Sequence, residues 1–201
     1  MSIENPKFIY SSSADRGLDT LLYLWQFIRK EFPEATLDVL YGFENWKKSI
    51  LASGNEQQKQ WMESIEEGLN QPGVTNHGRV SQDELAKYWQ QMDIWAYPTR
   101  FTETYCITAL EAQLYRTAIV TTRLAGLIDT VGDRGILIDG DAYTKEYREQ
   151  FLSEVFAILR DDERREVMLD KAEKCAKKLT WSNRAKEWTD VFKQNGLTFP
   201  K

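Results

Sequence analysis

Histidine and cysteine are almost missing from this 201-residue chain, which has one histidine, His77, and two cysteines, Cys106 and Cys175. A lone histidine with no ligand set around it builds no metal cluster, and two cysteines without metal spacing build neither a zinc site nor a disulfide framework. No metal is expected. Long apolar runs are missing too. No segment reaches the roughly 18–20 residues that span a bilayer, and Met1-Ser2-Ile3-Glu4-Asn5-Pro6 has no apolar signal core. Dense basic runs are also lacking, and the net charge of −5 speaks against a nucleic-acid partner. The basic residues Arg160, Arg164, Arg165, Lys171, Lys174, Lys177 and Lys178 are interleaved with acids and read as a solvated helix face. There is no internal repeat and no low-complexity linker. A reducing, cytoplasmic setting is the default.

What remains is an alternation of short apolar runs and amphipathic stretches. Lys7–Ser11, Thr36–Tyr41, Val74–Gly78, Ile94–Tyr97, Ala118–Thr121 and Ile136–Ile138 read as strands. Leu18, Leu21, Leu22, Trp25, Ile28 and Phe32 recur at helical spacing, and Pro33 ends that helix. Ser81 with Glu84 three residues on is a capping-box pattern, and Thr180 is placed to cap the final helix. The tryptophans Trp25, Trp89, Trp95, Trp181 and Trp188 sit at helical or strand core phases and read as core rather than as a sugar platform. Strands alternating with helices mean βαβ units and a parallel sheet, with ligands beyond the carboxyl ends of the strands.

The segment Arg100-Phe101-Thr102-Glu103-Thr104-Tyr105-Cys106-Ile107-Thr108-Ala109-Leu110-Glu111 carries the chemistry. Glu103 falls in a loop after a strand, and Glu111 falls seven intervening residues later, on an early helical turn. A carboxylate accepts hydrogen bonds from two vicinal hydroxyls. A helix start carries unpaired N–H groups and a partial positive charge that suit a diphosphate. A loop acid, a row of amides and a helix acid can therefore converge on one nucleotide-sugar. The bland readings are a solvated loop Glu and a dipole-stabilising helix Glu. Cys106 lacks a base partner and reads as a packing residue.

With Pro98-Thr99 ahead of it, this segment resembles the donor-binding half of retaining GT-B glycosyltransferases of group 1, or family 4. Four supporting segments stand in family order: Arg16-Gly17, His77-Gly78, Ala118–Thr121 with Gly126, and Gly132–Ile138 with Asp141. Departures are a serine at the early basic place in the first loop, Thr104 and Cys106 where the family has glycine, and Arg116 and Ala118 where glycine and proline are common. The resemblance implies an α/β fold: one Rossmann-like three-layer domain with a mostly parallel six-stranded sheet. Residues 1–180 would form the donor domain, and residues 181–201 a C-terminal helix packing toward an N-terminal domain.

The resemblance also implies roles. Glu103 would meet the donor sugar's hydroxyls near the reacting carbon, and Glu111 the ribose. Arg16, followed by Gly17, would clamp the diphosphate, helped by Ser12 and Ser13. Thr104, Tyr105, Cys106 and Ile107 would supply backbone N–H groups. His77, Gly78, Arg79 and Val80 would lie near the base, bordered by Tyr97 and Thr99, with a buried Tyr97 as the equal alternative. Arg100 would reach the phosphates or lie in solvent. The implied reaction transfers a sugar from a nucleoside diphosphate to an acceptor hydroxyl, without a metal or other cofactor. The acceptor half would be a missing domain or separate chain, through which membrane-peripheral placement stays open. A non-catalytic nucleotide-sugar-binding subunit and an epimerase-like fragment of GT-B fold are the open alternatives.

Overall fold

A computed structural model describes residues 3–196. In chain order the elements are β1 (Lys7–Tyr10), a 3-10 turn (Ala14–Arg16), α1 (Leu18–Glu31), β2 (Thr36–Val39), α2 (Glu44–Ser53), α3 (Glu56–Leu69), β3 (Val74–Asn76) and α4 (Gln82–Trp89). Then come β4 (Ile94–Tyr97), α5 (Ile107–Leu114), β5 (Ala118–Thr122), α6 (Gly126–Val131), β6 (Ile136–Ile138), α7 (Lys145–Arg160), α8 (Asp162–Ala176) and α9 (Trp181–Gln194). The six strands form one sheet in the order β3-β2-β1-β4-β5-β6, every pair parallel. This is the expected single α/β domain.

Burial explains the apolar strand runs. β4 and β5 are buried along their whole length, as strands covered on both faces must be, whereas the edge strand β3 is mostly open. From β1 the chain winds one way to β2 and β3; from β4 it winds the other way to β5 and β6. Right-handed crossovers therefore put α1 and α3 on one face and α5 on the other. α7 returns against α1, and α8 packs against α5. The order reverses between β1 and β4, where Phe8 pairs with Ile94 and Ile9 with Trp95. At such a reversal the loops diverge and leave a crevice.

Trp25 is fully buried, meets Phe8 edge-on at 5.3 Å and donates its indole N–H to Pro72 O at 2.9 Å. Ser81 and Glu84 form the capping box on α4, and Thr180 Oγ1 accepts from Asn183 N to cap α9. The departure at Arg116 has a local reason. Its φ of 58° is left-handed, where a glycine would be unstrained. Its guanidinium binds Glu166, Asp170 and Glu173 on α8, which offsets that strain.

One expectation is overturned. α9 has no buried residue; Trp181 is 88% exposed and Trp188 60% exposed. Helical spacing shows that a face is apolar, not that anything covers it. Trp25, Trp89 and Trp95 do lie in the core. Residues 197–201 of the expected tail, and Met1 and Ser2, lie outside the described residues.

Candidate functional site

The crevice is set by a close approach of two loops, those after β1 and after β4. Gly17 has φ 113°, and a Cβ on it would come within 2.6 Å of Pro98 O. Only glycine satisfies both the dihedral and the contact. This contact seats Arg16 beside the second loop. Arg16 Nη1 donates to Glu103 Oε1 at 3.2 Å, and its guanidinium lies over the Phe101 ring at 4.1 Å from the centroid.

Glu103 is buried, not solvated. Tyr97 donates its phenolic O–H to the same Oε1 at 3.0 Å. Tyr97 itself is fully buried, and that burial raises its pKa far above the ordinary phenol range. It therefore stays a donor at any working pH. The loop is braced from the far side as well. Gly126 N donates to Glu103 O at 2.9 Å, and a Cβ on Gly126 would meet Thr104 O at 2.4 Å. Gly126 thus earns its place as a backbone brace under the Glu103 loop.

α5 begins at the end of that loop, with Cys106 at its N-cap and no side chain capping it. The first amides of the helix, Ile107 and Thr108, have no intrahelical acceptor. Thr104, Tyr105 and Ile107 expose their side chains. Cys106 is buried, and burial pushes its thiol up to about 12, so it is inert at neutral pH. Glu111 sits half-buried on the second turn, and burial raises its carboxyl above the ordinary value. The Trp89 indole faces it and opposes that rise, yet its buried N–H closes no hydrogen bond of normal geometry.

The other expected residues fall in two groups. Ser13 is half-buried; its carbonyl accepts from Tyr10 O–H at 2.8 Å and from Arg16 N at 3.0 Å, which shapes the first loop. Gly78 is left-handed at φ 68° with open space around it, and Val80 packs partly against the core. Three residues have side chains committed within the fold. Ser12 is only 7% exposed, so its hydroxyl has little surface to offer. Thr99 is fully enclosed; its hydroxyl accepts from Phe101 N at 2.9 Å and its carbonyl from Thr122, so it braces the loop rather than facing a base. His77 is held between Asp38 at 2.5 Å and Tyr88 O–H at 3.1 Å, which makes its ring a tie between β2 and α4. Arg100 pairs with Asp141 at 2.9 Å and stacks on Tyr143. Among the described residues, no group of three or more His, Cys, Asp or Glu is placed to hold a metal ion. No helix of the described residues is long and apolar enough to cross a membrane.

Residues 7–160 match the family described as Glycosyl transferases group 1. The chain belongs to this family. It is 31% identical over 113 residues to a D-inositol 3-phosphate glycosyltransferase of Corynebacterium urealyticum, covering 55% of this chain and 25% of that protein. It is 21% identical over 186 residues to the O-antigen chain mannosyltransferase B of Escherichia coli, covering 92% of this chain and 45% of that one. Among solved structures it resembles a GtfA/B complex, with TM-score 0.73, 17% identity, and coverage of 96% of this chain and 36% of that one. It also resembles the pneumococcal O-GlcNAc transferase GtfA in complex with UDP and GlcNAc, with TM-score 0.67, 16% identity, and coverage of 96% and 37%. The chain thus spans between a quarter and a half of the length of these relatives.

For this family member, sequence reasoning missed two contacts at the crevice. Tyr97 was weighed only as a base neighbour or core residue, and it is the hydrogen-bond donor to Glu103. Phe101 carried no role, and it is the shelf under Arg16. Neither could be read from the chain, because each depends on how the loops after β1 and β4 meet. The aromatic character of both positions was the available signal.

Proposed function

We propose that this chain is the donor-binding half of a retaining glycosyltransferase. It holds a nucleoside-diphosphate sugar at the β1–β4 crevice, and the sugar passes to an acceptor hydroxyl supplied by a second domain or chain. The observation that carries this reading is the Arg16–Glu103 pair, sited where the strand order reverses and beside the uncapped start of α5. A diphosphate at the α5 amides would draw Arg16 off Glu103, since a guanidinium fork suits phosphate oxygens. Arg16 and the amides would then offset the charge that grows on the leaving diphosphate, with no metal needed. Glu103, freed on one side and still held by Tyr97, would accept from the sugar's hydroxyls. Glu111 would accept from the ribose diol, whose donors relieve a carboxylate that burial disfavours.

Family membership supports sugar transfer, and a structural relative bound to UDP and GlcNAc supports the donor class. The bare apolar side of α9, with Trp181, Trp188 and Val191 exposed, supports a covering second half. Calorimetric titration of the folded chain with UDP, GDP and ADP tests the binding step. Saturable heat with at least one of them is expected; no heat with any of them refutes the reading.

A further inference from the structure

Two cavities open beside the crevice on the α1 side of the sheet, and they share Asp15 and Tyr143. The smaller, about 140 Å³, reaches Thr20 and Phe101; the larger, about 440 Å³, is lined by Trp46, Trp61, Ser49, Ile50 and Gln58. The larger is by itself a trough of ligand size. Its walls are aromatic and already held in place. Trp46 and Trp61 meet edge to face at 4.8 Å. Asp19 Oδ2 accepts from both Trp61 Nε1 at 3.3 Å and Tyr143 O–H at 2.6 Å, which fixes two walls with one carboxylate. Two other polar groups stand near these walls. Thr20 is 1% exposed and its hydroxyl has no partner among the described residues. The Asp15 carboxylate is exposed.

The geometry points to a saccharide subsite that takes one neutral sugar ring. An indole face packs on the C–H face of a sugar, while a carboxylate accepts from two vicinal hydroxyls. Other ligand classes fit worse. Asp15 and Asp19 repel an anion, and the Tyr143 ring is already covered by the Arg100 guanidinium at 4.2 Å, which disfavours a cationic guest. An apolar ligand would cover the Asp15 carboxylate without a donor for it. Choosing a sugar over another neutral polyol rests on the proposed glycosyl transfer; the trough's geometry does not.

The test follows the indole N–H signals in a ¹⁵N–¹H spectrum of the full chain, with Trp46 and Trp61 assigned through W46F and W61F. Maltose, cellobiose and mannobiose are titrated in turn. At least one should shift the Trp46 and Trp61 signals saturably and leave the buried Trp25 and Trp95 signals in place. Asp15→Ala should weaken that binding about fivefold, the worth of one hydrogen bond of about 1 kcal/mol. Asp15 is exposed, so the change should not unfold the chain. Absence of a saturable shift up to sugar solubility overturns the assignment. So does an unchanged affinity in Asp15→Ala, or a shift by tetramethylammonium chloride and not by the sugars. Nucleoside diphosphates should leave these two signals unmoved, so failure here and failure at the crevice are told apart.

Discussion

The Glu103 carboxylate lies in a buried setting that supplies a guanidinium and a phenol, whereas Glu111 lies half-buried beside an indole N–H that closes no bond. The two acids stand eight positions apart and face opposite problems. Glu103 has its charge satisfied by the protein, so a ligand must exchange with Arg16. Glu111 has its charge left unsatisfied, so a ligand that brings hydroxyl donors improves its setting. One acid is positioned in advance; the other is held at a cost to folding, a pattern common at binding sites.

Four changes break or sharpen this contrast, in falling order of effect. Gly17→Ala should be the most disruptive. It combines a left-handed dihedral with a backbone overlap at Pro98 O and should cost about 2–4 kcal/mol in denaturant unfolding. The damage should fall on the Glu103 side only. Arg16→Met should come next, at about 1–3 kcal/mol, because it leaves a buried carboxylate with only Tyr97, and the half-exposed arginine limits the loss. Tyr97→Phe should cost about 1 kcal/mol and leave Arg16 on Glu103. Glu111→Gln should act in the opposite direction. Its carboxyl is raised in the fold, so the folded state holds its proton more tightly than the unfolded chain does. Stability is then lost as pH rises from the ordinary carboxylate range through the raised value. The amide should thus make the chain more stable at pH 7, by under about 1 kcal/mol for a half-exposed group, with no gain in acid.

Much of the fold was legible because each strand is a short apolar run bounded by turn residues and each main helix has a periodic face. The six strand positions follow from that alone, to within a residue or two at their ends. The site was legible as a set of loops after strands, since a parallel sheet gathers them at one edge. What was hidden were contacts between loops far apart in the chain. Arg16 meeting Glu103 is a contact across 87 residues. The enclosure of Thr99, the tie of His77 to Asp38 and Tyr88, and the uncovered Trp181 and Trp188 all depend on neighbours that periodicity does not specify. A buried threonine and an exposed one look alike in sequence, as do a covered and an uncovered apolar face.

The most direct measurement is a paired calorimetric titration of the unaltered chain and of Glu111→Gln with the nucleoside diphosphate that binds best. The account predicts saturable binding to the unaltered chain and at least tenfold weaker binding to the variant, the loss of a charge-assisted bond of about 1.5–3 kcal/mol, although the variant is the more stable protein at pH 7. Equal affinity in the two proteins would contradict it.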